Sequence, residues 1–272
     1  MKADCRKIIC GLMMVACLFM LMWGTAFASE PTAATTTIIL ARHGETDYNL
    51  EGRCQGAVDI PLNATGIKQA EALAASLQNI KIDVFISSPL QRAYVTTQKV
   101  AAWHGAPTII VEPRLREINL GEWASQKSAD LKLAEPKKFP RWQAQPWKVR
   151  PPKGESMKEE QARCHAALQD ILAKHAGKTI FIGAHSMVNG VILCDVMGID
   201  IKHFAQISQD NTCVNVLQYK NGQWKVLLMN SIQHTGKFCS ECGQPKPAAE
   251  WVCSCGTVNK GKFCSGCGAK RP

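Results

Sequence analysis

The feature that most limits the fold is a short apolar run that ends abruptly in polar residues. The run Thr37–Ala41 is followed directly by Arg42, His43 and Gly44. A β-prone run with polar side chains only at its end is typical of a buried parallel strand. Open α/β sheets place their ligand sites at the carboxyl ends of such strands. We therefore expect an α/β protein in which His43 lies at this edge of the sheet.

The residues around His43 suit an anionic group. Arg42 is a permanent cation, and Gly44 allows the backbone to approach a ligand closely. Glu45 and Thr46 add polar groups within the same loop. A lone histidine after a strand is more often a capping or core residue, so the prediction depends on these neighbours. Together they indicate a bound phosphate.

The central part of the chain alternates between strand and helix patterns. One predicted helix carries Arg92 in its first turn, directly after an apolar strand. A later strand ends at His185, so a second histidine repeats the placement of His43. Alternating strands and helices predict a three-layer α/β/α fold around a mostly parallel sheet. The predicted strands cover residues 37–41, 84–87, 108–111 and 179–183, and the predicted helices run from Asn63 or Thr65 to Leu77, from Ser88 to about His104, from the capping box of Ser156 and Glu159 to about Ala176, and from Met187 to Met197.

Two further segments complete this region. Residues 213–219 and 224–231 have strand composition and flank Asn221-Gly222, a pair that favours a tight hairpin turn. The sheet is therefore expected to end in an antiparallel edge hairpin. Residues 124–155 contain five prolines and are predicted to be irregular. They form either a lid or a surface excursion whose aromatic side chains are buried.

Four motifs in chain order resemble those of the histidine phosphatase superfamily over about residues 36–231. That family includes cofactor-dependent phosphoglycerate mutases, broad-specificity phosphatases and α-ribazole phosphatases. The resemblance implies a catalytic domain at residues 36–232 that hydrolyses phosphomonoesters through a phosphohistidine, without a metal or other cofactor. The motifs are Arg42-His43-Gly44-Glu45-Thr46 with Asn49, Ser87-Ser88-Pro89-Leu90 with Arg92, Ala93 and Thr96, Leu115-Arg116-Glu117 with Gly121 and Trp123, and the late His185.

The resemblance also implies a role for each catalytic residue. His43 is the expected nucleophile, and Arg42, Arg92 and His185 are expected to hold the phosphoryl oxygens. Two guanidinium groups and an imidazolium at His185 would stabilise the spread charge of the transferring group. Glu117 is the expected proton donor to the leaving group.

Three more residues are expected to contact the substrate. The family likeness suggests Asn49 as a further phosphate contact, and Thr46 lies in the same loop. Many relatives have Gly directly after the second histidine, whereas this chain has Ser186. Its side chain would either crowd the phosphate or add a hydroxyl contact.

Two alternative functions stay open. One is a catalytically silent phosphate-binding or interaction protein, but such a protein would have no need for the complete set of five catalytic residues. The other is a phosphoglycerate mutase. The stretch between Arg92 and His185 is short, as in the phosphatase branch, and export would separate a mutase from cytosolic substrates.

The first 28 residues are predicted to be a signal peptide. Three positively charged residues precede the uncharged apolar run 8–23, and residues 26–28 fit the small-x-small cleavage rule. An uncleaved membrane anchor or a lipid attached at Cys17 are the alternatives. In each case the chain after residue 28 is expected outside the cytoplasm, in the periplasm, in the medium or anchored to the membrane. Residues 29–35 form a short spacer.

Residues 233–272 are predicted to be a separate unit that resembles a zinc ribbon. Six of the 13 cysteines lie there in three close pairs, each followed by Gly. Such pairs are typical of tetrahedral zinc sites. A unit with so few large apolar residues needs a bound metal or disulfide bonds in order to fold. Disulfides are the alternative for an exported unit, but a Cys253–Cys255 bridge would be strained. The expected ligands of one zinc are Cys253, Cys255, Cys264 and Cys267, with Cys239 and Cys242 in a second site or completed by a partner chain.

The net charge of +10 is spread over the targeting segment, the central domain and the tail. No basic stripe with interleaved aromatic residues is present, so a nucleic-acid partner is not expected. A mildly basic domain suits a small anionic substrate such as a phosphomonoester. The tail is expected to bind a protein or another surface, and a membrane is a partner only if the N-terminal segment is uncleaved.

Overall fold

The computed structural model of the chain describes residues 34–105, 108–232, 251–252 and 258–259. Their helices and strands alternate as the sequence predicts. Short 3₁₀ turns lie at 113–115, 121–123, 146–148 and 201–206. The elements are β1 (Thr36–Arg42), α1 (Asp47–Leu50), α2 (Ala64–Leu77), β2 (Val84–Ser87), α3 (Gln91–Ala102), β3 (Ile109–Val111), α4 (Ser128–Ala134), α5 (Lys138–Ala144), α6 (Met157–Lys174), β4 (Thr179–Ala184), α7 (Ser186–Met197), β5 (Val214–Lys220), β6 (Gln223–Ser231) and the short antiparallel pair β7 (Trp251–Val252) and β8 (Val258–Asn259).

The main sheet has six strands in the order β3-β2-β4-β1-β5-β6. The first four strands of this order are mutually parallel, and β5 runs antiparallel to both β1 and β6. Asn221 and Gly222 both have positive φ, 51° and 77°, as the tight hairpin turn between β5 and β6 requires. The prediction of a mostly parallel sheet with an antiparallel edge hairpin is confirmed.

Side-chain alternation along β1 explains why helices cover both faces of the sheet. Ile38 and Leu40 pack on one face against α6 and α7. Ile39 and Ala41 point to the other face and pack against α2 and α3. A strand that is apolar at every position must be covered on both sides. This gives the three layers that the sequence predicts.

The segment 124–155 is more regular than predicted. It contains the helices α4 and α5, because its prolines stand between or at the start of helical turns, where no backbone N–H donor is required. Phe139 is fully buried and packs edge-on against the buried ring of Trp123, which also contacts Trp142. The segment is a packed surface excursion with its own small core.

Several predictions concern residues outside the described ranges. These are the signal peptide, most of the spacer and all six tail cysteines. Among the described residues, no helix combines the length and apolar character needed to cross a membrane, and no group of three or more potential metal-binding side chains occurs. The four cysteines of the described part are buried and free, namely Cys54, Cys164, Cys194 and Cys213.

Candidate functional site

The two histidines lie at the ends of neighbouring strands. Arg42 of β1 is paired in parallel register with Ala184 of β4, and the backbone N–H of His43 donates to the Ala184 carbonyl at 3.0 Å. The rings of His43 and His185 are consequently only 5.3 Å apart between centroids. The sheet register itself therefore brings together the two histidines that the sequence singled out.

The His43 ring is buried and has a defined tautomer. Its Nδ1 lies 2.7 Å from the carbonyl oxygen of Gly44. Since a carbonyl only accepts, Nδ1 carries the proton and Nε2 keeps its lone pair. Burial lowers the pKa of His43 well below its usual value, and the nearby charges of Arg42 and Arg92 lower this pKa further. The ring is therefore neutral and carries an unprotonated Nε2.

Gly44 is required for close packing of the backbone, in addition to the close approach to a ligand that the sequence suggested. A Cβ atom at Gly44 would collide with the carbonyl oxygen of Gly66 in α2, and a Cβ at Gly66 would collide with the Glu45 backbone. The backbone N–H of Gly44 donates to the Thr96 hydroxyl at 3.1 Å. Close packing of the loop against α2 and α3, and not only approach to a ligand, accounts for this glycine.

Two guanidinium groups, that of the half-buried Arg42 and that of the buried Arg92, lie near His43. Arg92 is fully buried, and its Nη1 and Nη2 donate to the carbonyls of Val58 and Gly56, each at 2.7 Å. Arg42 donates through Nη1 to the Gln209 carbonyl at 2.6 Å. Burial lowers the pKa of Arg92 to about 10, so the group stays cationic at neutral pH. Within the described residues the Nε atoms of both arginines have no hydrogen-bond partner.

The surroundings of His185 disfavour its charged form. Burial, with the nearby cations Arg92 and Arg42 and the ring of His43, lowers the pKa of His185 well below its usual value. The ring is therefore neutral without a bound phosphoryl group, and the imidazolium expected beside a transferring phosphoryl group stays a prediction. Its Nε2 lies 2.7 Å from the hydroxyl of Ser88, whereas its Nδ1 is buried without a partner in the described chain.

Glu117 faces the same site and is nearly buried. Its Oε1 accepts the backbone N–H of Ile118 at 3.1 Å, and its Oε2 accepts that of Met187 at 3.3 Å. These two bonds fix the carboxyl between the 3₁₀ segment after β3 and the first turn of α7. Behind it, Glu160 of α6 is fully buried.

A cavity of about 140 Å³ joins Arg42, His43, Arg92 and Glu117, whereas His185 is not among its lining residues. None of its lining residues comes from 124–155, so that segment does not cover the site in this structure. Arg53, Gln55 and Met187 carry no periodic or motif pattern, and the sequence did not single them out as part of the site. The lining residues are Arg42, His43, Arg53, Gln55, Gly56, Arg92, Glu117, Ile118, Leu120 and Met187.

The three predicted substrate contacts are not among the lining residues of this cavity. Thr46 is the N-cap of α1 and forms a reciprocal capping box with Asn49. The Asn49 side-chain oxygen also receives a 3.4 Å hydrogen bond from Asn211. Ser186 begins α7, directly before the lining residue Met187. Contacts from these three residues to a substrate stay predictions.

A family model places the chain among known proteins. The model of the histidine phosphatase superfamily (branch 1) matches residues 38–232. The chain belongs to the histidine phosphatase superfamily. This histidine phosphatase is 31% identical to phosphoserine phosphatase 1 of Hydrogenobacter thermophilus over 204 residues, which make up 75% of this chain and 96% of that protein.

Two other relatives show the range of the family. A probable phosphoglycerate mutase of Yersinia pestis is 33% identical over 191 residues, 69% of this chain and 86% of its own. The solved structure of a mycobacterial glucosyl-3-phosphoglycerate phosphatase, in complex with VO3, matches with a TM-score of 0.67 and 25% identity, over 72% of this chain and 98% of that chain. Membership of the family, together with relatives named as phosphatases, identifies this histidine phosphatase as a phosphatase.

Proposed function

We propose that this phosphatase hydrolyses small phosphomonoesters through a phosphohistidine on His43. The observation that carries the proposal is the neutral His43 ring, which the Gly44 carbonyl holds at Nδ1 in a cavity that Arg42 and Arg92 also line. A neutral imidazole with a free Nε2 is a competent nucleophile. The two guanidinium groups stabilise the negative charge of the transferring group.

The proposed reaction has two steps. In the first, Nε2 of His43 bonds to phosphorus, the bond from phosphorus to the ester oxygen breaks, and Glu117 gives its proton to that oxygen. In the second, a water oxygen bonds to phosphorus, the phosphorus–nitrogen bond breaks, and Glu117 takes a proton from the water. Free phosphate leaves, and the protonated Glu117 is restored. Neither step assigns a role to a metal or another cofactor.

His185 has one ring nitrogen left for the substrate in this scheme. The Ser88 hydroxyl accepts from the backbone N–H of Leu90 at 3.3 Å, so its own proton is available for Nε2 of His185. This arrangement puts the ring proton on Nδ1, which is the buried nitrogen without a partner among the described residues. We assign Nδ1–H of His185 to an oxygen of the bound phosphoryl group.

The proposed substrate is a small alcohol phosphate. The cavity of about 140 Å³ suits a phosphoryl group with a short substituent. The relatives named for phosphoserine and for glucosyl-3-phosphoglycerate both have names that specify esters of alcohols. A broad-specificity or α-ribazole-type activity is the finer form of the proposal, and a panel of phosphomonoesters ranked by kcat/KM tests it.

Substrates with different leaving groups test the role of Glu117 as proton donor. Replacing Glu117 with Gln should lower kcat/KM for an alkyl phosphate by about 10²- to 10⁴-fold, because an alkoxide must be protonated as it leaves. The loss in kcat/KM with p-nitrophenyl phosphate should be much smaller, since p-nitrophenolate leaves without a proton and kcat/KM does not include the later attack of water. Glu122→Gln is the matched control, because that carboxyl is exposed and paired with Lys153. Equal losses of kcat/KM with both substrates would refute the role.

The tail carries a separate proposal, on residues outside the described ranges. We propose that the exported protein holds one structural zinc on Cys253, Cys255, Cys264 and Cys267, on the sequence evidence given above. Elemental analysis of protein purified from its native compartment should find about one zinc per chain. Chelation should release thiols that react with a labelling reagent. A protein with neither zinc nor reactive tail thiols would instead have a disulfide-bonded tail.

A further inference from the structure

A second carboxyl lies behind Glu117. Glu160 projects from the apolar face of α6, on the same side as the buried Met157 and Cys164. It is fully buried, and neither of its carboxyl oxygens has a hydrogen-bond donor among the described residues. Burying an ionised carboxylate without donors is very costly, so such a group normally keeps its proton.

In the described structure, the cation beside Glu160 donates its hydrogen bonds to other groups. Arg163 Nη2 is 3.6 Å from Oε1 of Glu160, which is too long for a hydrogen bond. The same guanidinium donates to Glu155 through Nε at 2.7 Å and through Nη2 at 3.0 Å. Its Nη1 donates to the carbonyls of Arg114 and Arg116. Glu155 also pairs with Arg116 at 2.9 Å, so Arg163 remains near Glu160 as a charge, but it gives the Glu160 carboxyl no hydrogen bond.

Glu117 is the group that reaches the Glu160 carboxyl. The two side chains are close enough to share a hydrogen bond, which is possible only when one of them carries a proton. Burial raises the pKa of Glu160 well above its usual value, and the negative charges of Glu117 and Glu155 add to the rise while Arg163 opposes it. The neighbouring Cys164 is a neutral thiol, because burial raises its pKa as well.

We propose that Glu117 and Glu160 form a carboxyl pair that retains one proton at neutral pH and supplies it, through Glu117, to the leaving group. Two adjacent carboxyl groups in a dry site cannot both ionise easily, so the last proton leaves the pair only at raised pH. Without Glu160, Glu117 has no second carboxyl with which to share a proton. Glu160 is therefore a positioning residue that acts through Glu117 and does not touch the substrate. The proposal rests on the proton-donor role proposed above for Glu117.

The proton balance extends that of the proposed reaction. When the ester bond breaks, the single proton of the pair passes through Glu117 to the leaving oxygen, and both carboxyls are ionised until water attacks. When water attacks the phosphohistidine, the proton lost by the water enters the pair. One proton is thus given and one is regained in each turnover, and the pair returns to its starting state.

The variant Glu160→Gln tests the pair through the pH dependence of kcat/KM, which reports the steps up to loss of the leaving group. Gln has nearly the same shape and can still donate an N–H to Glu117, but it cannot share a proton with it. Because the protonated carboxyl is the active donor, kcat/KM for an alkyl phosphate falls as pH rises through the pKa of the pair. Without Glu160 that pKa drops, so the fall should begin at a pH lower by about one unit or more. With p-nitrophenyl phosphate the profile should not move.

Two comparisons make the result decisive. Asp170→Asn on the exposed side of α6 is the control and should leave both profiles unchanged. In a protein that already carries Glu117→Gln, adding Glu160→Gln should have no further effect on kcat/KM. An unchanged alkyl phosphate profile in Glu160→Gln would overturn the proposal. So would equal losses on both substrates at every pH, or a further loss in the double variant, because a purely structural role predicts those results.

The experiment also separates the two proposals. If Glu117→Gln affects both substrates alike, the proton-donor role of Glu117 fails, and the pair fails with it. If Glu117→Gln acts selectively on the alkyl phosphate and Glu160→Gln leaves its profile unmoved, only the pair fails.

Discussion

Replacing His43 with alanine is expected to reduce turnover of every phosphomonoester by at least about 10⁴-fold, because the covalent route is lost. The loss should be similar for p-nitrophenyl phosphate and for alkyl phosphates, since both classes of substrate require the covalent step on His43. His185 is a poor substitute as nucleophile, because its Nε2 is bonded to Ser88. Rapid acid-free quenching of the wild-type enzyme with labelled substrate should also trap a phosphorylated protein, and His43→Ala should give none.

His165→Ala is the control for this experiment. That side chain lies on the surface of α6, is more than half exposed and pairs with Asp195 of α7. Its loss should therefore leave turnover intact. A His43→Ala protein that hydrolyses p-nitrophenyl phosphate at a rate near that of the wild type would refute the phosphohistidine mechanism. A trapped phosphate that persists in the variant would do the same.

Replacing Arg92 with lysine is expected to lower kcat/KM by about 10²- to 10³-fold, although the positive charge is conserved. The planar fork of Arg92 bonds the carbonyls of Val58 and Gly56 at the same time, and Gly56 lines the cavity. A lysine ammonium is a point charge that cannot bridge both carbonyls and also face the phosphate. The substitution therefore removes both a phosphate contact and the support of one cavity wall.

Inhibition by inorganic phosphate distinguishes these two effects of Arg92→Lys. The inhibition constant should rise together with the loss in kcat/KM, because the same contact binds the phosphoryl group in both. Arg150→Lys is the matched control, since Arg150 forms an exposed ion pair with Glu159. A lysine variant with wild-type kcat/KM and unchanged phosphate inhibition would show that Arg92 has only a structural role.

The histidine pair could be predicted from sequence because its cause is local. An apolar run followed by a polar residue fixes both the strand and its end, and parallel strands present their ends at one edge. His43 and His185 each carry that pattern. The charge of His185 could not be predicted in the same way, since it depends on burial and on cations contributed by β1 and α3.

Other parts of the site depend on contacts distant in sequence. Arg53 and Gln55 lie in a loop without periodicity, and only the fold brings them to the cavity. The burial of Glu160 could have been suspected from the sequence, because this residue falls among the apolar positions of α6, where a carboxyl is unusual. The short helices within 124–155 were missed because prolines at helix starts have the same composition as prolines in loops.

The site is built from two parts of the chain with different freedom to evolve. His43 and His185 are fixed to each other by the register of two central strands, so they cannot move without rebuilding the sheet. Arg53, Ile118 and Leu120 also line the cavity, but they lie in turns outside the sheet. On the proposed function, we expect substitutions there to alter substrate choice more than phosphoryl transfer. Such a division would let one lineage diversify its substrates, in keeping with the different names of the relatives of this chain.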